Sequence, residues 1–287
     1  MWKIKRIILS VLYICFASAA VVFSLFFLFT RFLLTEPPEQ PDEFSPITTV
    51  TIPSEENKSD DTSEEIPHVM FDETKADEDL PVSSSAHSPM IALTFDDGPN
   101  ANTARLLDCF EKYGGKCTFF AVGNMIEYFA DDLKRAAENG HEIGSHGWDH
   151  SRLDLLTESE IAEQIDKTNR TIYDASGYNS TLLRPPYGYV NDLLKDTAAK
   201  AGIALIGWSV DPQDWKSRDA DAVYESIMAN VKEGCIILCH DLHATTVDAM
   251  EKLIPDLIEM GYRLVTVSEL LTSDGSAIVP GEMYNHK

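Results

Sequence analysis

Positive charge is scarce in this 287-residue chain: 23 lysines and arginines stand against 47 aspartates and glutamates, a formal net charge of −24. So acidic a chain repels a phosphate backbone, which excludes nucleic acid as a partner held through its phosphates. Cysteine is sparse too. Five cysteines suggest no disulfide framework, and their spacing lacks the partners of a cysteine zinc site. Cys117, Cys235 and Cys239 fall in apolar strand-like runs and are expected as buried thiols, with Cys109 beside them in the core. A Cys109–Cys117 or Cys235–Cys239 bridge stays open at this level. No Gly-x-Gly-x-x-Gly follows the first strand-like run, which argues against a dinucleotide fold.

The charge that is present is unevenly placed. Residues 1–34 carry Lys3, Lys5, Arg6 and Arg31 and no acid. Between them, Ile7 to Thr30 is uncharged and almost wholly apolar, and about 20 such residues cross a bilayer as a helix. The preceding cations place the N-terminus in the cytoplasm and the bulk of the chain outside. A cleaved signal peptide, cut near Ala17-Ser18-Ala19, is the competing reading and would make the protein secreted. Apolar residues continue for ten positions beyond that point, which favours a retained transmembrane anchor. Residues 35–88 set fifteen acids against Lys58 and Lys75, with prolines recurring among serine and threonine. Such a composition cannot offset the entropy cost of folding, so a disordered acidic tether is expected.

From residue 89 strand-like and helical patterns alternate. The strand-like runs are 90–95, 116–122, 141–145, 181–184, 203–209, 235–240 and 263–267. Helical stretches lie near 102–113, 125–139, 157–175, 190–201, 219–233 and 245–260. The third is the clearest: Thr157 and Glu160 suit a capping box, and Ile161, Ile165 and Ile172 share one stripe. Pro255 predicts a kinked or shortened last helix. About seven strand-helix units imply an α/β domain over 89–272 with a parallel sheet, open or closed into a barrel, and a tail at 273–287.

In a barrel, chemistry gathers at the C-terminal ends of the strands. Thr94-Phe95-Asp96-Asp97-Gly98-Pro99 ends the first run. Adjacent side chains on extended backbone point to opposite sides. One carboxylate can therefore hold a cation while its neighbour accepts a proton. His146 and His150 follow the third run, four residues apart, and can converge on one ion where the chain coils. With a carboxylate they make a two-histidine, one-carboxylate set that leaves a position open for chemistry. Arg184-Pro185-Pro186-Tyr187-Gly188 ends the fourth run, where stiff backbone can present an N–H to developing negative charge. Asp211-Pro212-Gln213-Asp214-Trp215 and Leu238-Cys239-His240-Asp241 end the next two.

Taken in order, Thr94–Gly98, His146-x-x-x-His150, Arg184–Gly188, Asp211-x-x-Asp214-Trp215 and Leu238-x-His240 resemble the five motifs of polysaccharide deacetylases. This is the NodB-homology group, carbohydrate esterase family 4. The resemblance covers about 90–270. It implies a distorted (β/α) barrel, a divalent metal (usually Zn2+, with Co2+ as an alternative) and hydrolysis of N-acetyl groups on β-1,4-linked amino sugars. It further implies Asp97, His146 and His150 as metal ligands, Asp96 as base and His240 as acid. Arg184 would pair with Asp96 and Asp214 would orient His240. Tyr187 would supply an oxyanion N–H, with Trp208 and Leu238 lining the acetyl pocket. The residue after the first ligand histidine is typically Ser or Thr in that family, its hydroxyl bracing the loop; here it is Gly147, which puts that brace in doubt. An exported domain on a tether faces cell-wall glycan, so peptidoglycan N-acetylglucosamine is the expected substrate. N-acetylmuramic acid, chitin oligomers, exopolysaccharide and acetylxylan are alternatives, as is a wall-binding protein with a decayed site.

Overall fold

The structure, a computed structural model, describes residues 88–287. The expected anchor over 1–34 and the tether up to residue 87 lie outside the described residues. Among the described residues no helix is long and apolar enough to cross a membrane.

Eight strands form the sheet: β1 (Met90–Asp96), β2 (Thr118–Ala121), β3 (Glu142–Ser145), β4 (Leu182–Leu183), β5 (Ala204–Ile206), β6 (Ile236–His240), β7 (Arg263–Leu264) and β8 (Met283–Tyr284). Their order is β6-β1-β2-β3-β4-β5-β8, with β7 paired to the start of β1, and every one of these pairings is parallel. A parallel bridge between Val210 and Ile237 brings the chain after β5 back against β6, and the sheet curls into a barrel-like shape. The helices are α1 (Thr103–Tyr113), α2 (Ala130–Glu138), α3 (Glu158–Ser176), α4 (Asp192–Lys200), α5 (Asp214–Ser217), α6 (Ala220–Asn230), α7 (Ala244–Glu259) and α8 (Val267–Leu271).

Parallel strands are covered on both faces, which is why they read as unbroken apolar runs. Ile91–Asp96 of β1 are all buried. On the outer face Leu93, Phe95 and Ile237 pack with Leu106, Phe110, Ile227, Met250 and Leu253 of the flanking helices. Each such side chain contributes about 1.5–3 kcal/mol when fully buried. That packing carries α7 through Pro255 as one helix, with Leu253, Ile254 and Leu257 buried on either side of it. Of the kinked or shortened helix expected from Pro255, the shortening is absent: the helix runs from Ala244 to Glu259. α3 has the capping box of Thr157 with Glu160, buries Ile161, Ile165 and Ile172, and ends at Gly177, whose φ of 72° suits glycine.

Inside the curl, Ala92, Phe120, Leu182, Ala204, Ile206 and Ile236 pack against Val265, Val267, Leu270 and Leu271. α8 thus plugs the barrel from below. It is tied there by the Val267 N–H donating to Thr118 Oγ1 (2.9 Å) and the Ser268 N–H donating to Glu142 Oε2 (3.1 Å). Leu270→Ala should lower unfolding stability by about 2–5 kcal/mol, as other buried leucine truncations do. A urea melt that leaves the midpoint unchanged would show that the plug is dispensable. Residues 273–287, expected as a tail outside the domain, supply β8, and Lys287 N–H donates to Gly234 O at 2.9 Å. Two strand residues are too few to carry a periodic signal.

Register then positions the site. In the β1–β6 ladder Asp96 lies directly opposite His240. Ser145 pairs with both Ala121 and Leu183, which places His146 beside Arg184, one residue further on.

Candidate active site

The ends of β1, β3, β4 and β6 and the segment after β5 surround a pocket of about 450 Å³. Its walls include Asp96, Asp97, His146, His150, Tyr187, Trp208, Leu238 and His240. Arg184 and Asp214, both fully buried, lie behind them. All ten residues singled out from sequence therefore meet in one place.

Asp97 Oδ1, His146 Nε2 and His150 Nε2 converge, with Oδ1 3.3 Å from the first nitrogen and 3.1 Å from the second. His146 Nδ1 lies 2.7 Å from the Arg184 carbonyl oxygen. A carbonyl only accepts, so Nδ1 carries a proton and Nε2 is the nitrogen turned toward Asp97. Asp97 Oδ1 is itself buried without a hydrogen-bond partner. Two imidazole nitrogens and a carboxylate oxygen, all within 4.8 Å of one another, form a donor set that suits a divalent cation. Asp97 and His150 reach this arrangement through left-handed backbone, φ 71° and 61°. That is unusual for residues other than glycine, and such conformations collect at functional sites.

On one side of these donors Asp96 is held by Arg184. Arg184 Nη1 donates to Asp96 Oδ1 (2.7 Å) and Thr94 Oγ1 (2.6 Å), and Nη2 donates to the Gly207 carbonyl (2.8 Å). The guanidinium also lies over Phe120, 4.2 Å from the ring centroid. Burial pulls the Arg184 guanidinium below its usual value, and the Asp96 charge opposes that. Its capture of the Gly207 carbonyl accompanies the end of β5 at Ile206, short of the run to 209 expected from sequence.

On the opposite side His240 Nδ1 donates to Asp214 Oδ1 (2.8 Å), leaving Nε2 as its reactive nitrogen. Asp214 Oδ2 accepts from the His240 N–H (2.7 Å) and from Thr246 Oγ1 (2.8 Å). Burial, the largest single influence, lowers the His240 pKa. The Asp214 hydrogen bond and charge, with Asp96 and Asp97, more than offset it and push the imidazole up to about 9. Tyr187, at φ 63°, sets its ring edge-on to His150 with centroids 4.7 Å apart. Gly188 turns at φ 73° directly under Trp208, where a Cβ would meet the indole at 2.7 Å.

The family profile described as polysaccharide deacetylase matches residues 83–206. A solved family 4 acetyl xylan esterase from Clostridium thermocellum, in complex with a cobalt ion, is 34% identical, with a TM-score of 0.65, and the match covers 69% of this chain and 98% of that one. The chain belongs to the polysaccharide deacetylase family. Two further relatives of the chain are named for peptidoglycan. The peptidoglycan-N-acetylmuramic acid deacetylase PdaC of Bacillus subtilis is 44% identical over 63% of this chain and 38% of its own length. The peptidoglycan-N-acetylglucosamine deacetylase PgdA of Listeria monocytogenes is 40% identical over 69% of this chain and 41% of its own. The chain thus spans about two fifths of the length of these relatives.

The loop that carries both histidines is braced without a hydroxyl at Gly147. Gln164 on α3 accepts from the Trp148 N–H (2.6 Å) and donates to Asp149 Oδ1 (3.0 Å). Gly123 and Asn124 N–H groups hold the carbonyls of Gly147 and Trp148. Gly147 itself turns at φ 77°. Sequence reasoning missed Tyr189 and His243, which also line the pocket, and gave Trp215 no role there. Their proximity to Tyr187, Asp214 and His240 was the available signal.

Proposed function

We propose that the chain is a metal-dependent hydrolase that removes N-acetyl groups from amino sugars of an extracellular glycan, with peptidoglycan N-acetylglucosamine as substrate. The observation that carries this reading is the cation-ready Asp97, His146 and His150 set, flanked in one pocket by an arginine-held carboxylate and an aspartate-held imidazole. When bound, a divalent cation, zinc by preference and cobalt as an alternative, polarises an amide carbonyl and brings water toward ionisation near neutral pH.

Around that centre the protein's own groups divide the work. Asp96, fixed by Arg184, takes the proton from the attacking water. The Tyr187 N–H faces the oxyanion that develops as the carbonyl becomes tetrahedral. His240 delivers a proton from Nε2 to the departing amine nitrogen, which leaves poorly without one. Its elevated pKa keeps that proton in place at neutral pH. Asp214 fixes the imidazole through Nδ1, and Leu238 and Trp208 receive the acetyl methyl and the sugar face.

Location supports the glycan. The uncharged stretch from Ile7 to Thr30 would anchor the chain in the cell membrane with its N-terminus cytoplasmic, and the acidic tether would let the domain reach the wall. Secretion after cleavage is the alternative, and the mass of the mature N-terminus in membrane and medium fractions separates the two. The match to PdaC gives N-acetylmuramic acid as the second reading for the sugar. The test is acetate release by the full-length chain from purified peptidoglycan and from an N-acetylglucosamine oligomer. Release should be lost on chelation and regained with zinc or cobalt. Release unaffected by a chelator that has stripped the metal would sink the mechanism. No release from any acetylated glycan with metal bound would favour a wall-binding protein.

A further inference from the structure

Tyr189 stands between two concavities. It lines the catalytic pocket, and it also lines an adjoining open groove of about 490 Å³ formed with Asn191, Asp192, Lys195 and Asn285. The residue is 53% exposed, so its ring is open to a ligand. It is also held in place. The Arg152 guanidinium lies over the ring, 3.5 Å from its centroid, and is itself fixed by Asp154 through Nε (2.7 Å) and Nη2 (2.6 Å). Asn191 Nδ2 donates to the Asp154 carbonyl (2.8 Å), so the loop after His150 and the loop after Tyr187 are tied together beneath the platform. A rigid aromatic surface ordered in advance costs little entropy when a ligand settles on it.

Charge distinguishes what the groove can take. Arg152 is occupied by Asp154, whereas Lys195 is exposed and pairs with no carboxylate among the described residues. Asp192 lines the same groove and limits the net charge there, so an anionic group is favoured only close to the Lys195 ammonium. We propose that Tyr189 carries the sugar next to the one being deacetylated, and that Lys195 pairs with a carboxylate borne by that neighbouring sugar or its substituent. The inference rests on the glycan-deacetylase reading and narrows its substrate to a chain in which alternate sugars carry an acidic substituent, over a neutral homopolymer.

The experiment compares full-length, zinc-loaded wild type with Tyr189→Ala, Tyr189→Phe and Lys195→Gln. The substrates are N-acetylglucosamine itself and its dimer, soluble peptidoglycan fragments, and the same fragments with their carboxylates amidated. Lys195→Gln should raise KM about five-fold on the carboxylate-bearing fragments, the size of an exposed ion pair, and should erase their advantage over amidated ones. Tyr189→Ala should lower kcat/KM on the dimer about ten-fold relative to the monosaccharide, and Tyr189→Phe should restore the difference. Equal effects on acidic and amidated fragments, or on monosaccharide and dimer, overturn the inference while leaving the deacetylase reading intact. A wild type that releases no acetate from any of these glycans overturns both.

Discussion

Asp97→Ala is expected to abolish metal binding and to cut acetate release by at least about a thousand-fold, the loss that corresponds to several kcal/mol of stabilisation by a bound cation. Asp97 Oδ1 is the one anionic donor among the three converging atoms, and it lies within 3.3 Å of both imidazole nitrogens. Without it two neutral imidazoles face a cation alone. His150→Ala should follow the same course. Asp97→Asn is the sharper comparison, because it keeps the volume and one oxygen while removing the charge. Metal content by mass spectrometry of the intact protein, read beside acetate release, is the measurement. Full zinc occupancy in Asp97→Ala would remove Asp97 from the ligand set. Lost activity with metal retained would move its role to the substrate.

His240→Ala should behave in the opposite way, keeping its metal while turnover falls about 10²–10⁴-fold, the usual worth of a positioned general acid. The pH profile gives a second view of the same group. A general acid must be protonated, so with the His240 pKa raised to about 9 the acid is present below that pH and lost as pH rises through it. Burial alone would lower the value, and the hydrogen bond and charge of Asp214 reverse that. Asp214→Asn removes the charge and leaves at most a neutral amide oxygen as acceptor, while burial remains. The alkaline limb of kcat should therefore move to lower pH, with a weaker effect on KM. An unmoved limb in Asp214→Asn would separate the alkaline fall from His240.

The strands and their chemical ends were readable because parallel strands covered on both faces keep an apolar signature, and because polar groups then stand out where each run stops. Asp96, His146, Arg184 and His240 were found in that way. Other features leave no such mark. The left-handed backbone at Asp97, His150 and Tyr187 is imposed by tertiary contacts on residues that do not ordinarily announce it. Tyr189 and His243 sit between the regular elements, where no period can be counted. β8 is two residues long, and α8 is a five-residue plug whose apolar side chains read equally well as the end of a strand. The helix through Pro255 persists because seven buried side chains outweigh a local cost of about 3 kcal/mol.

The pairing of Asp96 with His240 across the β1–β6 ladder has one more consequence. The backbones of these two residues are held at the inter-strand spacing, about 4.8 Å in any sheet. That spacing has the stiffness of a hydrogen-bonded lattice, whereas Tyr189 rides on the segment between β4 and α4. If Asp96 and His240 move protons as proposed, the parts of the fold that hold them and the part that holds Tyr189 are mechanically separate.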